Sequence, residues 1–134
     1  MANYKLAAKD IMQVEVATIL GDATVQDAAS IMRLEGVRSL IVVPRDASDS
    51  FAIITYSDIV TNVLADGRDP GKVFVYEIMT KPLIVVPPSM QVEHIARLFR
   101  QTKVGHVPVV DCGKLLGVVS MTDLITEVIN ESAV

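Results

Sequence analysis

The sequence predicts an α/β protein of the α+β kind, made of two β-α-β-β-α repeats packed about a pseudo-twofold axis. Three observations lead there. The segment opened by Asp10-Ile11-Met12 and closed by Thr55-Tyr56-Ser57-Asp58 recurs as one opened by Glu77-Ile78-Met79 and closed by Ser120-Met121-Thr122-Asp123. Met12 and Met79 stand 67 residues apart, as do Val25 and Val92, whereas Asp58 and Asp123 stand 65 apart, so the first copy carries two extra residues before its end. Within each copy the apolar period also switches between strand-like and helix-like in the same order. A unit of this size rarely buries its apolar faces alone and packs against its copy.

Residues 14–19 (Val-Glu-Val-Ala-Thr-Ile) alternate and are β-branched, the mark of a strand, and residues 83–86 (Leu-Ile-Val-Val) are the counterpart. A helix follows in each copy. In the first, Thr24 precedes Val25 with Asp27 three residues on, a capping-box pattern; Val25, Ala28, Ala29, Ile31 and Met32 recur at helical spacing, and Gly36 stops the helix. In the second, Val92, Ile95, Ala96, Leu98 and Phe99 repeat that stripe behind a cap at Ser89, and both stripes are expected in the core. Next come two hairpins, 40–43 with 51–54 and 107–110 with 115–119, joined by loops rich in turn formers; the two extra residues fall in the first loop. A second helix closes each copy, over 57–64 with Ile59, Val60, Val63 and Leu64 apolar, and over 122–129 with Leu124, Ile125, Val128 and Ile129 apolar. The repeats are bounded at 8–66 and 75–131, with 67–74 as linker, where Gly67 and Asp69-Pro70-Gly71 cannot continue a helix.

Composition narrows the function. With 134 residues, 51% of them hydrophobic, the chain can bury a real core, filled by aliphatics and Met because only 4% is aromatic and Trp is absent. A net charge of −4 argues against a nucleic-acid partner, which would call for a basic face. One Cys and two His cannot build a structural zinc site, and the lone thiol fits a reducing compartment. The longest apolar runs fall far short of the roughly 20 residues a membrane span needs, and the start lacks the layout of a signal peptide. The expected location is therefore the cytoplasm, without a membrane partner. The expectation is also of no enzyme and no bound metal: there is no Gly-rich phosphate loop, no Gly-x-Ser-x-Gly elbow and no His with a second ligand at helical spacing. Cys112 sits in a hairpin loop without a nearby His, and His94 is expected to be a solvated helix residue.

One polar signature is repeated. Thr55-x-x-Asp58 and Ser120-x-x-Asp123 stand where a strand hands over to a helix, with Ser57 or Thr122 just before the Asp. Ser57 or Thr122 as N-cap, with the Asp in the first turn, explains the pattern structurally. The same geometry suits a ligand: a helix N-terminus offers N–H groups to an anion, and a carboxylate can accept both hydroxyls of a ribose.

The repeated Asp-Ile-Met and Glu-Ile-Met-Thr openings, the run Val-Gly-His-Val-Pro-Val-Val-Asp at 104–111 and the run Gly-Val-Val-Ser-Met-Thr-Asp-Leu at 117–124 resemble the CBS domain, named after cystathionine β-synthase. The two copies, from about residue 8 to 131, resemble a free-standing tandem pair; the first departs from the second in having Ile41 where the second has Pro108, and Ala52 where it has Gly117. The resemblance implies a non-catalytic regulatory module, needing no cofactor, that binds AMP, ADP, ATP or S-adenosylmethionine in clefts between the repeats. It implies one site joining Ser120, Thr122 and Asp123 to Ala17, Thr18, Arg38 and Ser39, and another joining Thr55, Ser57 and Asp58 to Lys81, Pro82, Ile84, Gly105 and His106. The Asp would hold the ribose, the hydroxyls a ribose or phosphate oxygen, and Arg38 or His106 the phosphates, with adenine among aliphatics such as Ile53 or Val118. It further implies a homodimer formed through the helices and a regulated partner protein that reads ligand occupancy. The alternative is a ligand-free interaction or dimerisation module, with Cys112 as a possible redox link.

Overall fold

The computed structural model describes residues 4–81 and 84–129, so Pro82, Leu83 and the last residues of the second repeat lie outside the described residues. In chain order the elements are α1 (Ala8–Ile11), β1 (Thr18–Ile19), α2 (Val25–Glu35), β2 (Ser39–Val42), β3 (Ala52–Thr55), α3 (Tyr56–Ile59) continued by a π-helical turn (Val60–Leu64), a 3₁₀ turn (Pro70–Lys72), α4 (Val75–Ile78), α5 (Val92–Thr102), β4 (His106–Asp111), β5 (Lys114–Ser120) and α6 (Met121–Asp123) continued by a π-helical turn (Leu124–Ile129). They form two compact units. One is continuous, Val16–Leu83; the other is composite, joining Met1–Glu15 to Ile84–Val134.

The composition of the units follows from the repeated acid-Ile-Met opening. In α1 the Asp10 carboxylate accepts the Ala7 N–H at 2.8 Å, and in α4 Glu77 accepts the Phe74 N–H at 2.7 Å, so each acid ties down a free donor at the start of a one-turn helix. Ile11 and Ile78 then point inward and are buried. Each opening turn packs on the other copy. In the composite unit Ala8 N–H bonds Met90 O (2.8 Å), Lys9 N–H bonds Pro88 O (3.0 Å) and Val92 N–H bonds Leu6 O (3.1 Å). In the continuous unit the equivalent three bonds are Val75 N–H to Ala23 O (2.8 Å), Tyr76 N–H to Gly21 O (2.9 Å) and Val25 N–H to Val73 O (2.8 Å).

The sheet of the continuous unit runs β1-β2-β3, with β1 parallel to β2 and β2 antiparallel to β3. In the composite unit β4 pairs antiparallel with β5 across a two-residue turn, where Cys112 (φ 52°) and Gly113 (φ 76°) supply the paired positive φ of a type I′ hairpin. The cores are aliphatic: Ile19, Val25, Met32, Leu40, Ile54 and Val63 among others in the first, Ile11, Val86, Ile95, Phe99, Val107 and Val119 among others in the second.

Several local expectations are corrected. The strand expected over 14–19 is only Thr18–Ile19, because Gln13 instead bridges Val118 and Val14 is exposed. Of the strand expected over 83–86, Leu83 lies outside the described residues, and among the rest Val86 alone pairs, bridging Val109, while Ile84 and Val85 are exposed. Ser89 does not cap α5: the N-cap is Gln91, whose side chain makes no capping bond. Ala29 and Ala96 are exposed, each lying at the edge of a helical stripe whose centre reaches the core. The second helices begin at Tyr56 and Met121, with Thr55 and Ser120 rather than Ser57 and Thr122 as N-caps. Capping at Thr24 and the stop at Gly36 (φ 67°) are as expected.

Gly117 explains one departure between the copies. A Cβ there would meet the Gln13 carbonyl oxygen at 2.6 Å and the Met12 side chain at 3.0 Å, so the crossing of the opening segment over β5 requires glycine. Its counterpart Ala52 carries its methyl group fully buried.

Candidate functional site

In the continuous unit, the end of the sheet where β2 starts and β3 stops gathers Ala17, Thr18, Arg38, Ser39, Thr55 and Asp58. Ser39 faces Thr55 across the antiparallel ladder, and the Arg38 carbonyl accepts the Tyr56 N–H at 3.1 Å. On the other side Thr18 is opposite Ile41, and the Ala17 carbonyl accepts the Ile41 N–H at 3.1 Å. At the switch into α3, Thr55 Oγ1 accepts the Asp58 N–H at 3.2 Å while Asp58 Oδ2 accepts the Thr55 N–H at 2.9 Å. This is a complete capping box, so the carboxylate is immobilised by its own backbone. Ser57 is exposed in the first turn, its carbonyl taking the Thr61 hydroxyl at 2.7 Å.

The composite unit repeats the arrangement. The Gly105 carbonyl accepts the Met121 N–H at 3.1 Å, His106 faces Ser120, Ser120 Oγ accepts the Asp123 N–H at 3.2 Å, and Asp123 Oδ2 accepts the Ser120 N–H at 2.8 Å. Thr122 is exposed, its carbonyl taking the Thr126 hydroxyl at 3.0 Å. Asp123 is 7% exposed, the one charged side chain buried among the described residues. Burial pushes the half-buried His106 imidazole below its ordinary value, against the upward pull of the Asp123 carboxylate.

Lys81 is not brought to Asp58 within its unit. Beyond the Ile53–Thr80 bridge its ammonium pairs with Asp49 in the longer first hairpin loop, and that pairing, with the Arg45 backbone N–H, holds the Asp49 carboxyl well below the usual carboxylate range. Beside the pair opens a cavity of about 370 Å³ lined by Val42, Val43, Arg45, Asp49, Tyr76 and Lys81 among others. Sequence reasoning passed over Asp49 and Tyr76, whose contribution depends on α4 packing against the first hairpin. It also missed Gln13, whose side-chain Nε2 donates to Asp123 Oδ1 at 3.1 Å from 110 residues away. Among the described residues no three His, Cys, Asp or Glu side chains cluster as metal ligands would, and no helix is long and apolar enough to cross a membrane.

The family model for the CBS domain matches residues 8–65 and again 75–130. The chain belongs to the CBS domain family. It is 34% identical over 128 residues to the CBS domain-containing protein YhcV of Bacillus subtilis (strain 168), covering 95% of this chain and 89% of YhcV. Among solved structures it is similar to the hexameric CBS-CP12 protein from bloom-forming cyanobacteria (TM-score 0.87, 46% identity, 92% of this chain and 68% of that one). It is also similar to the CBS domain pair of protein MJ0100 in complex with 5′-methylthioadenosine and S-adenosylmethionine (TM-score 0.74, 28% identity, 88% of this chain and 95% of that one). The chain is thus a CBS-pair regulatory module, and both matched segments contain a hydroxyl-x-x-Asp switch.

Proposed function

We propose that this CBS pair is a non-catalytic sensor that binds AMP, ADP, ATP or S-adenosylmethionine at one of its two hydroxyl-x-x-Asp switches, that of Asp58 or that of Asp123, and passes the bound state to a partner protein. The observation that carries the reading is the duplicated switch itself: each Asp is locked in orientation by its capping box, so a carboxylate is preorganised at the end of a strand. A carboxylate so held can accept the two hydroxyls of a ribose. The ligands of the MJ0100 pair, both adenosyl compounds, support the same ligand class. Signalling is then bounded by the difference in ligand affinity between two arrangements of the protein. We place the protein in the cytoplasm as a homodimer. Val60 and Leu64 in one unit, and Ile125 and Ile129 in the other, are apolar residues of the second helices left exposed, as a helix-mediated dimer needs.

The deciding experiment is calorimetric titration with AMP, ADP, ATP and S-adenosylmethionine, with GTP as the control. Micromolar or tighter binding of an adenine ligand and no heat with GTP is the expected outcome. No heat with any of them would favour the second reading, an interaction module without ligand. The capping boxes give that reading its footing, because they occupy Thr55, Asp58, Ser120 and Asp123 with no ligand needed. In that case Cys112, exposed at its hairpin tip, could link two copies, and a non-reducing gel would reveal it.

A further inference from the structure

Asp58 and Asp123 are equivalent in sequence and unequal in their partners. Asp58 spends one oxygen: Oδ2 accepts both the Thr55 N–H (2.9 Å) and the Thr55 hydroxyl (3.1 Å), and among the described residues nothing donates to Oδ1. Asp123 spends both, Oδ2 on the Ser120 N–H (2.8 Å) and Oδ1 on the Gln13 amide (3.1 Å). Gln13 does not reach there by chance rotation. Its backbone is clamped to Val118 by two hydrogen bonds, N–H to O at 2.9 Å and O from N–H at 3.0 Å, which set its side chain beside β5 and the start of α6. The counterpart of Gln13 is Thr80, clamped to Ile53 in the same way at 2.8 and 3.1 Å, and its short side chain makes no bond to Asp58.

We propose that Gln13 closes Asp123 to a ribose, so that the pair holds one adenosyl ligand, at Asp58. This rests on the adenosyl-binding function proposed above. Asp123 is 7% exposed, so a sugar hydroxyl reaching its Oδ1 competes there with the Gln13 amide and displaces that charge-assisted hydrogen bond. That loss weakens binding at Asp123 by about 10- to 100-fold relative to Asp58. Gln13 is in these terms a positioning residue, deciding which of two equivalent carboxylates is available.

The test is calorimetric titration of the full chain with 5′-methylthioadenosine and with AMP. The wild type should bind one equivalent; Asp58→Asn should weaken it about 10- to 100-fold; Asp123→Asn should leave it unchanged. Gln13→Thr, which copies the opposite unit and keeps the backbone bridge, should bring in a second equivalent, and Gln13→Ala should do the same if the threonine variant folds poorly. Loss of binding in Asp123→Asn with binding kept in Asp58→Asn would overturn the proposal, as would two equivalents in the wild type or a single equivalent in both Gln13 variants. Those failures differ from that of the function itself, which would show as no heat with either ligand in the wild type and the Gln13 variants alike.

Discussion

His106 sits at the start of β4, half-buried, with Asp123 as the charged group acting on it. Burial outweighs the carboxylate, so the imidazole holds its proton less tightly in the folded protein than in the unfolded chain. Below the ordinary histidine value of about 6.5 the unfolded chain therefore binds more protons than the native state, and stability present above that pH is lost on acidification toward the folded value. Thermal scans between about pH 7.5 and 5.5 should show a falling Tm, and His106→Gln should flatten the fall; an unchanged slope would remove His106 as the cause. At this scale the sequence is only partly informative. The resemblance singles out His106, but nothing near Gln13 in the chain announces a bond to Asp123, since that contact exists only once the opening segment has crossed β5.

Both second helices are started by the same device, an N-cap hydroxyl and an N3 aspartate, and both pass into π-helical turns with a threonine hydroxyl bonded back to the carbonyl four residues earlier. Such back-bonding bends a helix. Removing the cap hydroxyl leaves an N–H unpaired, so Thr55→Ala and Ser120→Ala should each cost about 1 kcal/mol. The measure is the denaturant midpoint at unchanged slope; no change in either would mean that water replaces the hydroxyl fully. Elements of this kind are legible in sequence wherever a local rule decides them. The hairpins, Thr24 capping α2 and Gly36 ending it follow from turn and cap chemistry. The first strands do not, because residues 14–19 and 83–86 have strand composition while, among the described residues, long-range pairing leaves them only Thr18–Ile19 and the Val86 bridge. The start of each second helix was displaced for a similar reason: two hydroxyls compete for the cap, and the outer one, still within the ladder geometry of β3 or β5, wins.

The compact units matter most for the molecule as a whole. Each takes its opening turn from the other copy: α1 supplies Ala8 and Ile11 to the composite core, and α4 supplies Val75 and Ile78 to the continuous one. A fragment cut at 16–83 should therefore fold cooperatively, while one cut at 8–74 loses Val75, Ile78 and the Thr80 bridge and should not. Urea denaturation followed by circular dichroism would check this, and a cooperative transition in the shorter-ended 8–74 fragment would show that α4 is dispensable. The repeat that sequence displays is a unit of descent, and burial decides the unit of folding. The continuous unit is also an insert: the chain enters it at residue 16 and leaves at residue 83, and both flanking stretches belong to the composite unit. Tension applied between residues 4 and 129 is consequently borne by the composite unit first. The insert stays out of the load path until α1 peels away from the turn before α5, so mechanical unravelling has an order written into the connectivity.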